Sequence, residues 1–120
     1  MTTPAKAAAK TAGIVAGQAV LLTDLVNFAD GAIVSRVLAK NDHCNLTLFA
    51  FDAGQGLSEH TSPFDAYVNL LEGQLTLTVG GNEVHPSPGE MVLMPAKVPH
   101  ALQAVTSVKL LLMMIRPGGN

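Results

Sequence analysis

The residues of this chain best equipped for chemistry are its four histidines, His43, His60, His85 and His100. An imidazole can exchange a proton near neutral pH or offer a ring nitrogen to a metal. Two of the four sit in suggestive surroundings. His60 lies within SEHTSPFDAY at 58–67, beside Glu59 and shortly before Ser62, where the chain enters an apolar run. His100 opens HALQAV directly after the rigid Val98-Pro99 pair. His43, inside NDHCN, and His85, just before Pro86, have turn-like neighbours and are expected to face solvent. No serine nucleophile elbow, phosphate-cradling glycine loop or paired catalytic carboxylate is present, so no catalytic residue can be named.

The elements that must position these side chains read as short strands. From Ile33 onward apolar residues recur with a period nearer two than 3.6, in runs bounded by Gly, Pro, Asn and Asp. The runs fall at 32–39, 45–51, 66–73, 74–80, 90–95, 100–105 and 108–115, which makes the chain all-β. Gly80 and Gly81 predict a tight hairpin joining 74–79 to 82–85. Glu72-Gly73 forms the preceding corner, and Gly54 and Gly56 are assigned to a turn. TDLVNFA at 23–29 reads either as a helical turn capped by Thr23 or as an edge strand. Residues 1–12, rich in Ala, Thr and Lys, read as a flexible extension, leaving 13–120 as one domain. The runs at 46–51 and 108–115 are apolar on both faces, which predicts an interior on one side and a partner sheet or second subunit on the other.

Composition narrows the partners. Hydrophobic residues make up 48% of the chain and charged ones 13%, an apolar balance that predicts a homodimer hiding part of the surface. A formal charge of −2 with no basic stripe argues against nucleic acid. No apolar run is long enough for a membrane helix. TAGIVAGQAVLL loosely imitates a secretory signal, but Gly13, Gly17 and Gln18 interrupt it, so the cytoplasm is the expected location. Cys44 stands alone, which rules out an intrachain disulfide, and it reads as a small packed thiol.

Two stretches, GQGLSEHTS with the following strand to LEG and PGEMVLMPAKVPH, resemble the two motifs of the cupins, G(x)5HxH(x)3-4E(x)6G and G(x)5PxG(x)2H(x)3N. The first is matched by Gly54, His60 and Gly73, with Ser62 where the family has a second histidine and Ala66 where it has glutamate. The second is matched by Gly89, Pro95 and His100, with Lys97 in place of glycine and Ala104 in place of asparagine. The resemblance spans about residues 33–116 and is nearest to the small single-domain cupins. It implies a double-stranded β-helix, or jelly-roll barrel, whose usual metal is iron, manganese, nickel or zinc held by three imidazoles and a carboxylate.

Alternation along a strand puts His60, Ser62, Ala66 and Val68 on one inner face and His100, Leu102 and Ala104 on another, so the imidazoles are expected to enter one hollow from facing walls. Glu59 and Asp65 have the opposite parity, and either would need a bulge or turn near Pro63 to reach inward. A divalent metal is a possible cofactor, held by His60 and His100 with water, a solute or a redirected carboxylate. Three functions follow. In the first, preferred here, the barrel binds a small organic ligand around His60, Ser62 and His100 without obligatory metal. In the second, the chain is a metal-dependent enzyme of dioxygenase, isomerase or decarboxylase type. In the third, it only dimerises through its outer face. Two imidazoles are few donors for a metal that must survive turnover, which favours the first.

Overall fold

A computed structural model describes residues 10–11 and 13–117, with side chains from residue 13 onward. Eleven strands and one short 3-10 helix make up the described chain. The apolar runs become β3 (Ile33–Lys40), β4 (Cys44–Phe51), β6 (Asp65–Glu72), β7 (Leu75–Val79), β8 (Asn82–Val84), β9 (Met91–Met94), β10 (His100–Ala104) and β11 (Val108–Ile115). They pair antiparallel in two sheets. One is five-stranded, in the order β3-β4-β11-β6-β9, and the other four-stranded, in which a further strand, β5 (Gly56–His60), begins the order β5-β10-β7-β8. Face-to-face packing of the two gives the expected jelly-roll barrel.

One strand was not anticipated. β5 (Gly56–His60) pairs with β10, so Gly56 belongs to a strand and not to the turn assigned to it. The apolar content of GLSEH is a single leucine, too little for alternation to register. A Cβ at Gly56 would lie 2.5 Å from the Leu102 carbonyl oxygen, so the glycine serves close approach between strands. TDLVNFA resolves into a 3-10 helix at Leu22–Leu25; Leu21 occupies the capping position without a side-chain bond, and Thr23 lies inside the helix, where it caps nothing. Most of the extension expected at 1–12 falls outside the described residues, and Lys10–Thr11 (β1) pairs with Ile14–Val15 (β2).

Two cores result. The main one lies between the sheets, where Phe51, Val68, Leu70, Leu75, Leu77 and Leu110 are almost wholly buried. The second lies on the outer face of the five-stranded sheet, where Leu48 and Ala50 pack under Leu25 and Val26. The cover expected from a second sheet or subunit is therefore supplied, on that part of the face, by the chain's own segment 13–29. Two cations fasten it. Lys109 Nζ donates to the Thr23 carbonyl at 2.7 Å, and Arg36 Nη1 donates to the Leu25 carbonyl at 2.8 Å. The Lys109 ammonium also lies 5.0 Å from the centre of the Phe28 ring.

The turn at Gly80-Gly81 forms as read, with φ of 57° and 84°. The Gly73 corner is more demanding. Its φ is 93°, and a Cβ there would run into the Ser107 carbonyl and come within 3.0 Å of Val108 Cα. Gly73→Ala should therefore cost more than about 2 kcal/mol, against about 1 kcal/mol for Gly81→Ala, where space is open and only the backbone conformation is strained. Urea denaturation of the two variants measures the difference; equal losses would show that the Ser107 contact is readily relieved.

Candidate functional site

The core is filled around Val68, Leu70, Leu75 and Val108, and hollow near Ala66, Met94, His100 and Met114. The hollow has a volume of about 280 Å³, and its surface is mostly apolar. His60 and His100 stand together on its wall, with ring centroids 4.4 Å apart and planes at 73°. They do not approach from facing walls. They are Cα partners on neighbouring strands of the same sheet, β5 and β10. His100 is 3% exposed, whereas His60 is exposed at the mouth.

A bulge puts His60 there. Across β5 and β10, Leu57 opposes Leu102 and His60 opposes His100, so three steps on β5 match two on β10. The extra residue at Ser58-Glu59 reverses the alternation, and Leu57 and His60 both line the cavity. Continuous parity from His60 to Val68 is thus not what unites them, because strand structure breaks at residues 61–64 and resumes in the other sheet at Asp65. Ala66 lines the cavity from there.

Each histidine hydrogen-bonds to its own backbone two residues back, His60 Nδ1 to the Ser58 carbonyl at 2.7 Å and His100 Nδ1 to the Val98 carbonyl at 3.1 Å. A carbonyl oxygen only accepts, so both Nδ1 atoms carry the proton and, in the neutral rings, both Nε2 atoms keep a free lone pair. Burial lowers the His100 pKa from its ordinary 6.5; the bond to the Val98 carbonyl opposes this, and positive charge on His60 adds to it.

The mouth is formed by Thr61, Ser62 and Pro63. Ser62 Oγ accepts the Phe64 amide at 3.1 Å, and its carbonyl accepts the Lys97 amide at 2.8 Å, which ties the mouth to the β9–β10 loop. Ser62 lines the cavity. Lys97 has φ of 66°, a left-handed conformation that a side chain adopts only at a cost. The Arg116 guanidinium lies 5.8 Å from the Phe64 ring centre and donates to the Asp42 carbonyl, linking residues 61–64 to the β3–β4 turn. His85 bonds Glu83 and Thr76 at the surface, and His43 is exposed; neither belongs to the cavity.

The cupin domain model matches residues 47–116. The chain belongs to the cupin family. A conserved protein of unknown function from Streptococcus pyogenes is 31% identical to this cupin over 92% of its length and 97% of the other chain, with a TM-score of 0.84. A cupin superfamily protein from Desulfitobacterium hafniense is 22% identical, covering 89% and 98%, at a TM-score of 0.81. A cupin 2 conserved barrel domain protein from Leptotrichia buccalis is 31% identical over 78% of this cupin and 45% of its own chain, at 0.75. No curated protein matches. Lys97 occupies the position of the second motif's glycine, and its φ of 66° is a conformation that glycine adopts without steric cost.

A metal, the group the family's motifs imply, fits this cupin poorly. Among the described residues no group of three or more His, Cys, Asp and Glu is placed to hold an ion. The bulge that could have redirected a carboxylate turns His60 inward and leaves Glu59 exposed. Asp65 is engaged elsewhere, its Oδ1 accepting the Ala96 amide at 2.8 Å. Two neutral nitrogens without a balancing negative charge make a weak site for a dication.

The lining that sequence reading missed is largely apolar, including Phe49, Phe51, Leu57 and Leu112. Met94 and Met114 line the cavity, whereas Met91 and Met113, at the opposite parity on the same strands, point outward. The lowered His100 pKa carries a sign. The folded state binds fewer protons than the unfolded chain below the ordinary value, so this contribution to stability is full above pH 6.5 and declines as pH falls through it toward the folded value. Between about pH 7.5 and 5 the wild type should lose more stability than His100→Gln in urea denaturation; parallel losses would show that His100 keeps its ordinary pKa.

Proposed function

We propose that this cupin binds a small, largely apolar organic molecule at the open end of its barrel, around His60, Ser62 and His100. The observation that carries this reading is a mostly apolar hollow of about 280 Å³ with two imidazoles on one wall. Apolar concavities with a few converging polar groups are how proteins usually hold small molecules. A cavity of about 150 Å³ accepts benzene. This one therefore suits a substituted ring or a branched aliphatic of similar bulk. A cytoplasmic setting is part of the reading, consistent with the free thiol of Cys44.

Met114→Trp, which places an indole in the hollow from β11, should weaken toluene binding about tenfold or more by ligand-observed NMR, with the thermal midpoint retained within a few degrees. Unchanged binding would remove the cavity as the site. The competing reading, a metal-dependent enzyme, rests on the two free Nε2 atoms. Elemental analysis of untagged protein should find far less than one equivalent of metal. A full equivalent that disappears in His60→Ala/His100→Ala would establish the enzyme reading instead.

A second copy of the chain is the partner we assign to the uncovered part of the five-stranded sheet. Leu46, Met113, Tyr67 and Leu93 lie in register across β4, β11, β6 and β9, with Leu93 44% exposed and Met91 49% exposed beside it. A two-fold axis would set this apolar row against the same row of a second copy. Sedimentation should report a dimer at micromolar concentration and a monomer for Leu93→Glu; a monomeric wild type would defeat the assignment.

A further inference from the structure

The two pocket histidines constrain the ligand's polar end as well as its location. Each donates from Nδ1 to a carbonyl, and neither Nε2 has a protein partner among the described hydrogen bonds. With the rings 4.4 Å apart, the site presents two neighbouring acceptors and few donors. A ligand hydroxyl can give its single proton to one imidazole only, after which its oxygen lone pairs confront the second. When that proton goes to His60 at the mouth, the buried His100 nitrogen is left facing an acceptor and unsatisfied, at a cost comparable to a lost hydrogen bond.

Charged head groups fare worse. An anion would meet lone pairs, with the Thr61 and Ser62 hydroxyls at the mouth as the side-chain donors of the lining. An ammonium would find no carboxylate in the lining, since Glu59 and Asp65 are outside it, and an unpaired charge is costly to remove from water. Resting on the reading that the hollow binds a small organic molecule, we infer that the ligand is neutral and carries two donor hydrogens on one head, as in a vicinal dihydroxyaryl group or a primary amide. The body is aromatic. Phe49 and Phe51 line the wall as a tilted pair with centroids 5.9 Å apart, and the Met94 and Met114 thioethers complete a surface that favours a π-face or ring edge.

The test uses the full chain after treatment with a chelator, so that a trace metal cannot capture a diol. The probes are methylcatechol, para-toluamide, para-cresol, the dimethyl ether of methylcatechol, and toluene. Methylcatechol or para-toluamide should bind about tenfold or more tightly than toluene and the ether, with para-cresol between them; whichever of the first two is tighter identifies the diol or amide source. In His60→Leu, chosen because the residue is exposed at the mouth, the advantage should shrink to about twofold while toluene binding persists. The nitrogen-15 resonances of both Nε2 atoms should move on adding the tight probe and stay in place with toluene.

Equal affinity for toluene and every donor probe would overturn the inference while leaving the pocket reading intact. A donor preference that survives His60→Leu would also overturn it. Diol binding that vanishes on chelation, with no amide binding, would place a metal between the histidines and defeat it. Failure of all probes, toluene included, would remove the pocket reading itself.

Discussion

The character of the site depends on the hydrogen bond each pocket histidine donates to the carbonyl two residues before it. Side chains bonded to the main chain two residues back are held by local backbone geometry, so both rings keep orientation and tautomer without a second layer of polar residues. The free Nε2 atoms follow from those two contacts, and the ligand chemistry proposed above is built on them. The bulge in β5 is the geometric condition for them, because it turns His60 toward the cavity and leaves the Ser58 carbonyl within reach.

The barrel accommodates a polar pair by concentrating its close packing elsewhere. Around Leu70, Leu75 and Val108 the interior is fully buried, and the outer face of the central strands has its own cover in the segment carrying Leu25 and Val26. With the sheet held on both sides, the other end of the barrel can remain open without loss of order. The mouth is tied down by polar contacts in place of apolar mass: Ser62 to Lys97 and Asp65 to Ala96.

Much of this was legible in the residues. Alternation located the strands with strong apolar content, the Gly80-Gly81 pair located the hairpin, and the motif spacing brought His60 and His100 together. The relation between the two histidines was misread because a bulge leaves no mark in a hydrophobic pattern: it adds one residue and reverses every later side chain on that strand. β5 escaped notice for a related reason, since Ser58, Glu59 and His60 are all exposed and its pairing with β10 is a backbone matter. Lys97 reads in the sequence as a simple departure from a motif, yet its φ of 66° shows that the turn demands a left-handed conformation at that position.

The segment over the outer sheet is fastened through Thr23 and Leu25 carbonyls, atoms that every amino acid possesses. Lys109 and Arg36 therefore recognise the path of the main chain and are indifferent to most of the side chains along it. Such a clasp leaves the strap's surface residues free to diverge, provided the few that press inward stay apolar. Evolution could thus rewrite that exterior without disturbing the barrel beneath.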